Sequence, residues 1–207
     1  MTQRYEAASG VKAEIKAMGG VDAASLVRTG EATDIVILAS GPMAKLEAEG
    51  HIVAGSIRGF ARSGMAHHGS GGGGAAGYRR RGGGEGGGGA ARTIGYSTGP
   101  SGDHLLKLYE GWGLPQDKLL KAPPGVPVGS LVAEGKADLG FQQLSELINV
   151  PGIVVLGPLP PEIQATTVFA AGVANTSAQK DETAALIAYL TAPETAAVKQ
   201  AQGMEAA

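Results

Sequence analysis

One loop of this sequence has the residue types needed to bind an anion. Residues 96–104 read Tyr-Ser-Thr-Gly-Pro-Ser-Gly-Asp-His and lie between a predicted strand and a predicted helix. Ser97, Thr98 and Ser101 offer hydroxyl donors, and Gly102 allows backbone amides to approach a ligand closely. The helix dipole adds about half a positive charge at its first turn. The pattern predicts an anion cradle; the alternative is that the serine before the helix is only a cap and the Gly-Pro pair only a turn.

A pair of glutamines ends another predicted strand. Gln142 and Gln143 lie in the run Gly-Phe-Gln-Gln-Leu-Ser-Glu, residues 140–146. Side chains alternate between the two faces of a strand, so one of the glutamines can face a ligand with both an amide donor and a carbonyl acceptor. The alternative is a glutamine that faces solvent.

The sequence positions no acid–base pair, metal cluster or nucleophile. Asp103 and His104 are neighbours on a predicted helix, where adjacent side chains diverge, so capping and surface roles are the simpler interpretation. His67 and His68 have no second cluster of metal ligands nearby, and Ser40 lacks the Gly-x-Ser-x-Gly motif of hydrolases. We therefore expect no catalytic residue, no metal and no cofactor.

Composition excludes several classes of protein. The 207 residues include 17 Lys and Arg against 19 Asp and Glu, a net charge of -2 that argues against a general nucleic-acid binder. The absence of Cys excludes disulfides, thiolate nucleophiles and Cys-ligated metal clusters. No apolar run approaches the roughly 20 residues that span a bilayer. With 43% apolar residues, the sequence predicts a globular protein without nucleic-acid partners or membrane insertion, and we expect a monomer.

The elements that must position these residues alternate between strand and helix. Residues 11–18 alternate like a half-buried strand, and residues 34–39 form an apolar run typical of a covered parallel sheet. Trp112 and Tyr109 fall at helical spacing and are predicted to be core residues. Further helices are predicted at 22–30, 101–112, 181–191 and 194–202, and further strands at 93–97, 137–142, 153–156 and 166–171. This order predicts an α/β fold.

An internal repeat indicates two lobes. Small and apolar residues of positions 20–35 recur at 125–139 with an offset of 105 that slips by one at the aspartate. Each copy places a Gly-containing turn before a helix, so facing copies would direct two helix N-termini toward one ligand. The alternative is that any loop, helix, turn and strand unit favours small residues at these places.

Residues 66–91 differ in composition from the rest of the chain. Between His67 and Gly89 lie 13 of the 35 glycines and no Val, Ile or Leu. A flexible linker is one interpretation. In a GC-rich gene, however, a shifted reading frame turns Ala codons into Gly codons, and residues 77–82 read one base later can give Asp-Ile-Ala-Asp-Glu-Ala. We hypothesise a compensated frameshift between about Ala66 and Ala90 that has replaced folded structure.

Several stretches together resemble the type 2 periplasmic substrate-binding proteins of the molybdate-binding-like branch. The similarity covers nearly everything outside residues 66–90. The resemblance implies two α/β lobes joined by two crossing strands, with a ligand clamped between the lobes. The stretches that carry it are residues 18–21, 30–40, 54–56, 62–64, 95–102, 140–146 and 157–160.

The resemblance also implies a domain organisation. The first crossing strand would follow residues 62–64 and so enter the Gly-rich stretch, while residues 2–8 read as a helix tail closed by Gly10 with no strand before it. We therefore predict a two-lobed fold that is incomplete, with the opening strand and one crossing strand missing or replaced. The predicted boundaries are 1–65 for the first part of lobe 1, 66–91 for the Gly-rich segment, 92–168 for lobe 2 and 169–207 for the return to lobe 1.

The ligand implied by the resemblance is a small anion, either an oxyanion or an organic carboxylate. The implied function is capture of this anion for import, with an ABC transporter permease as partner. Family members resembling aconitate isomerase give an alternative, a carboxylate isomerase in which His104 or Asp103 moves a proton. A third alternative is a chain that has lost its function with its missing strands. The resemblance places the following residues at the ligand: Gly19, Gly20, Ser97, Thr98, Ser101, Gly102, Val128, Gln142 and Gln143.

The chain departs from the molybdate-binding pattern at two of these places. Met18, Gly19 and Gly20 stand where that pattern has hydroxyl residues, and Gln143 stands at its tyrosine position. This difference favours a ligand other than molybdate. The resemblance implies a periplasmic location, whereas the absence of a signal peptide after Met1 predicts a cytoplasmic one if that methionine is the true start.

Overall fold

The computed structural model describes residues 1–70, 91–113 and 115–207, which form two compact units. Unit 1 comprises Met1–Arg62 and Val168–Ala207, and unit 2 comprises Ser63–Thr167. The chain passes from one unit to the other in two strands, Arg58–Ser70 and Thr166–Val173. The predicted α/β class is confirmed.

The helices and strands follow one another along the chain with single 3₁₀ turns at Gln116–Lys118, Pro161–Ile163 and Pro193–Thr195. No helix in the described part of the chain is long and apolar enough to cross a membrane. In order, the elements are α1 (Thr2–Ser9), α2 (Gly20–Arg28), β1 (Ile35–Ala39), α3 (Ser40–Ala48), β2 (Arg58–Ser70), β3 (Ile94–Tyr96), α4 (Pro100–Gly111), β4 (Leu119–Lys121), α5 (Val128–Ala133), β5 (Leu139–Gln143), α6 (Leu144–Leu147), β6 (Ile153–Pro158), β7 (Thr166–Val173), α7 (Lys180–Thr191), α8 (Ala196–Gln200) and β8 (Glu205–Ala206).

Unit 1 is built on an antiparallel pairing of β1 with β7, from Ile35 opposite Val173 to Ala39 opposite Phe169. Helices α2 and α3 bury their apolar sides against this pair, because both carry apolar residues at helical spacing. The core that results contains Ala24, Val27, Val36, Leu38, Met43, Leu46, Ile52, Ala170 and Ala174.

Unit 2 contains a short parallel sheet with β3 at its centre. Ile94 of β3 lies opposite Leu119 of β4 on one side and Leu139 of β5 on the other. The antiparallel strand β2 continues this sheet next to β5. Tyr109 is fully buried against the sheet, and the Trp112 ring lies 6.1 Å from the Tyr109 ring, so the prediction that both are core residues is confirmed.

The two copies of the sequence repeat have the same local structure. In the first, the amide of Glu31 donates to the Leu26 carbonyl, and in the second, 105 residues on, Lys136 donates to Leu131. Each helix is followed by a glycine with positive φ, 78° at Gly30 and 72° at Gly135, which only glycine adopts readily. A strand then begins in both, β1 and β5.

Two predictions about unit 1 are wrong. Residues 11–18 are not a strand: within the described residues no strand hydrogen-bonds to them, and Ile15 is 69% exposed. An alternating pattern needs a neighbouring strand before it can form a ladder. Strand β1 pairs antiparallel with β7 rather than lying in a parallel sheet, and its Ile37 is 40% exposed. An apolar run reports burial but does not fix the direction of the neighbouring strand.

The crossing strand predicted to be missing after residues 62–64 is present as far as the structure describes it. Strand β2 continues through residues 66–70, where His67 and His68 pair with Phe141 and Gly140 of β5. These five residues of the Gly-rich segment are therefore folded. Residues 71–90 lie outside the described residues, and the frameshift hypothesis for them stays a prediction.

Candidate functional site

The candidate residues of unit 2 lie at one edge of its sheet. Strands β3 and β5 are parallel neighbours with Tyr96 opposite Phe141, so Ser97 and Gln142 follow at the same level. Strand β4 ends beside them, where the Ala122 amide donates to the Tyr96 carbonyl. Ligands of open α/β sheets bind outside the carboxyl ends of the strands, and this edge is such a place.

The loop between β3 and α4 is closed by a pair of serines. The Oγ atoms of Ser97 and Ser101 lie 2.8 Å apart, and Ser101 is buried, whereas Thr98 is exposed. Two hydroxyls that share one hydrogen bond retain one proton for another acceptor. Gly99 is the N-cap residue of α4, and its carbonyl accepts the amides of Gly102 and Asp103, so these two amides are already used inside the protein.

Gly102 is required by the packing of this loop. A Cβ on Gly102 would collide with the carbonyl group of Ser97, whose carbon atom would lie 2.8 Å away. The sequence predicts that this glycine allows backbone amides to approach a ligand closely. The structure gives it a different contact, because the missing side chain allows the first turn of α4 to pack on its own loop.

Val128 begins α5 and packs over two glycines of the sheet. A Cβ on Gly95 or on Gly140 would lie 2.8 or 2.9 Å from the Val128 Cγ1 atom. These glycines are register partners in β3 and β5. The Val128 side chain is completely buried, and its amide donates to Gln142 Oε1 at 2.8 Å. Val128 therefore fixes the position of α5 at this edge.

Both glutamines are buried, each 4% exposed, so the alternative of a solvent-facing residue is wrong. The Gln142 amide accepts from Val128 through Oε1 and donates through Nε2 to the Glu146 carboxylate, which fixes the amide orientation. Gln143 Nε2 donates to Thr167 Oγ1 at 3.0 Å. Glutamine amides that already have partners hold the edge together.

Sequence reasoning missed Glu146. This residue lies one helical turn after Gln142, in the short helix α6, and the Ser145 amide beside it donates to Ser63 Oγ at 3.2 Å. Although Glu146 as a whole is exposed, its carboxyl group lies against the buried Gln142 amide. The desolvation raises the pKa of Glu146, and the hydrogen bond from Gln142 opposes this in part. The i, i+4 spacing of Gln and Glu is the signal that could have identified the pair.

His104 and Asp103 do not form an acid–base pair. His104 Nε2 lies 2.8 Å from the Ile163 carbonyl oxygen, which connects α4 to the 3₁₀ turn before β7. A carbonyl only accepts, so Nε2 carries the proton and Nδ1 is the basic nitrogen. Asp103 is exposed.

Gly19 and Gly20 belong to unit 1, whereas the other seven predicted site residues belong to unit 2. Gly19 is the N-cap of α2, and its carbonyl accepts the Ala23 amide at 2.9 Å. A Cβ on Gly19 would lie 3.3 Å from the Asp22 carboxylate. The assignment of these two glycines to a ligand stays a prediction.

The family is decided by a match that spans almost the whole chain. Residues 1–205 fit the family model described as bacterial extracellular solute-binding protein. The chain belongs to this family. Solved structures share the fold of this chain. The periplasmic molybdate-binding protein of Azotobacter vinelandii superposes with a TM-score of 0.77 at 20% identity, over 98% of this chain and 91% of that one.

Two further comparisons extend this result. The tungstate ABC transporter structure from Geobacter sulfurreducens superposes with a TM-score of 0.69 at 17% identity, over 92% of this solute-binding protein and 86% of that chain. An aconitate isomerase from Pseudomonas sp. is 31% identical over 209 residues, which cover 97% of this chain and 80% of the isomerase. The predicted resemblance to this family is thereby confirmed.

Proposed function

We propose that this protein captures a small anion, an oxyanion or an organic carboxylate, at the carboxyl edge of the unit 2 sheet and delivers it to an ABC transporter permease. The observation that carries the proposal is the loop that brings Ser97, Thr98 and Ser101 to the N-terminus of a 12-residue helix at this edge. Hydroxyl donors and a helix dipole favour negative charge without a basic side chain.

Membership of the solute-binding family supports the transport role, and the named solutes of two structural neighbours, molybdate and tungstate, support an anion. The difference at Gln143 supports a ligand of another shape. The Gln143 Nε2 atom has two N–H groups, of which Thr167 accepts one, and a planar carboxylate can accept the other.

Binding is tested by isothermal titration with molybdate, tungstate and trans-aconitate, with thermal shift as a second measurement. A ligand at a hundred times its Kd stabilises the folded state by about 2.7 kcal/mol. The double variant Ser97→Ala and Ser101→Ala should lose binding, whereas Ser130→Ala in α5 of the same unit should retain it. Failure of the wild type to bind any small anion would refute the proposal.

The 31% sequence identity with an aconitate isomerase favours a second function, isomerisation of a small carboxylate. Such a reaction moves one proton from one carbon to another while the double bond shifts, so no oxidant or cofactor is required. His104 Nδ1 is the basic nitrogen nearest the serine loop in sequence and is the proposed proton carrier.

The two functions differ in turnover. Proton NMR of cis- and trans-aconitate incubated with the protein should show interconversion if it is an isomerase, and His104→Ala should abolish it. Saturable binding without interconversion identifies a transport receptor.

A further inference from the structure

Glu146 is an ionisable side chain that is hydrogen-bonded to Gln142, one of the residues proposed at the anion site. It is joined to the sheet through Gln142, whose amide is itself held by the Val128 amide. Gln142 is the residue before the last in β5, the strand next to the one that leads into the serine loop. A carboxylate bonded to a residue of this edge opposes the binding of an anion there, since nearby like charges disfavour each other.

We infer that Glu146 couples anion binding at this edge to the uptake of one proton, an inference that rests on the proposed function. The proton comes from solvent and is bound by the Glu146 carboxylate. Once protonated, the carboxyl group no longer repels the anion and becomes a hydrogen-bond donor.

The Gln142 amide has a fixed orientation, which determines the group that it presents to Glu146. Its Oε1 atom is occupied by the Val128 amide, so only its Nε2 donor faces the carboxylate. This donor stabilises the ionised form, while desolvation of the carboxyl group raises the pKa of Glu146 and dominates. Desolvation therefore leaves the Glu146 carboxylate readier than that of an ordinary glutamate to take up a proton when a second negative charge arrives.

Other titratable groups on the surrounding elements are few. Strand β5 and helix α5 have none, and β2 contributes His67 and His68 in its unit 2 part. Burial lowers the pKa of His68 to about 4, so it is uncharged at neutral pH. Other charged or titratable residues lie at the ends of these strands and in the first turns of α4, namely Tyr96, Lys121, Asp103, His104 and Lys107. After α5, Glu134 and Lys136 form an ion pair with each other at 2.6 Å.

Linkage between proton and anion gives a quantitative expectation. Above the pKa of Glu146 in the empty protein, binding that requires one extra proton weakens about tenfold for each pH unit. The charge of the bound anion raises that pKa further. The affinity for molybdate or trans-aconitate should therefore fall as the pH rises from the pKa of Glu146 in the empty protein to its higher pKa in the complex, by up to about tenfold for each pH unit.

The test compares the wild type with Glu146→Gln, which keeps the shape and hydrogen-bonding capacity of the side chain but not its charge. Isothermal titration in two buffers of different ionisation enthalpy measures the protons taken up. The wild type should take up close to one proton per anion, whereas the variant should take up none, lose the pH dependence and bind at least about tenfold more tightly at about pH 8. Glu110→Gln, at an exposed position of α4, is the matched control and should behave as the wild type.

A variant that binds the anion with the wild-type pH dependence and proton uptake would overturn the inference while leaving the proposed function intact. If neither protein binds any of the probes, the proposed function fails, and the inference fails with it. Carboxyl carbon NMR gives a second measurement: the titration assigned to Glu146 by its loss in Glu146→Gln should shift to higher pH when the anion is added, and an unchanged titration in a saturated protein would equally refute the coupling.

Discussion

Acidification is expected to destabilise unit 2 through His68. This residue of β2 is completely buried, with its ring against Gly140 of β5, and no group in the described residues meets hydrogen-bond geometry at either ring nitrogen. Desolvation lowers the pKa of His68 from 6.5 to about 4, and the nearby Val128 backbone opposes this only in part. The folded protein therefore holds a neutral imidazole where the unfolded chain binds a proton.

The sign and size of the effect follow from these two values. Above pH 6.5 the histidine is neutral in both states and contributes no pH dependence. Between pH 6.5 and about 4 the unfolded state binds more protons, so the free energy of unfolding falls as the pH falls. Each pH unit between the two pKa values corresponds to about 1.4 kcal/mol of unfolding free energy. The free energy of unfolding should therefore be lower by about 3 kcal/mol at pH 4 than above pH 6.5.

Urea unfolding followed by the fluorescence of Trp112, the chain's one tryptophan, reports on unit 2. When the unfolding free energy of His68→Phe is subtracted from that of the wild type at each pH, the contributions of the other titrating groups cancel. This difference should shift by about 3 kcal/mol in favour of the variant between neutral pH and about pH 4. His51→Gln, in unit 1, serves as the control and should retain the wild-type profile. A difference that does not change with pH would refute the argument, since His68 would then titrate alike in both states.

Three substitutions test the packing of the site. Gly102→Ala places a methyl group against the preceding loop, so it should lower the free energy of unfolding in urea by about 1–3 kcal/mol and abolish anion binding. Gly111→Ala, at the open end of the same helix, is the control and should raise the free energy of unfolding by up to about 1 kcal/mol. Equal effects of the two substitutions would contradict the steric argument. Gln142→Leu leaves the first amide of α5 unpaired and should cost about 1–3 kcal/mol by the same assay, and a loss below about 0.5 kcal/mol would show that this amide finds another partner. Gly140→Ala should collide with the His68 ring, and addition of His68→Ala should recover part of the lost stability, because the contact with Val128 Cγ1 remains. Strictly additive losses would exclude the contact with His68.

The sequence by itself determined the features that depend on near neighbours in the chain. Helix and strand periodicity located α2, α4, β5 and α7 to within a few residues. Gly30 and Gly135 recur in the two copies of the repeat, because a left-handed residue after a helix is a local requirement for glycine. The serine loop was found for the same reason: its donors and its helix lie within a few residues of one another.

Only the tertiary structure decided the features that depend on residues far apart in the chain. The direction of β1 is set by its pairing with β7, whose register partners lie 130 to 138 residues later. The roles of Gly140 and Gln142 are set by His68 and Val128, which reach them from other elements. Burial and hydrogen bonding are properties of these contacts, and a side chain's type does not specify which partner will occupy its donors. For this reason the sequence could locate the edge that carries the candidate site. Only the fold showed that the two glutamines bond to other residues at this edge and that Glu146 is the ionisable partner of Gln142.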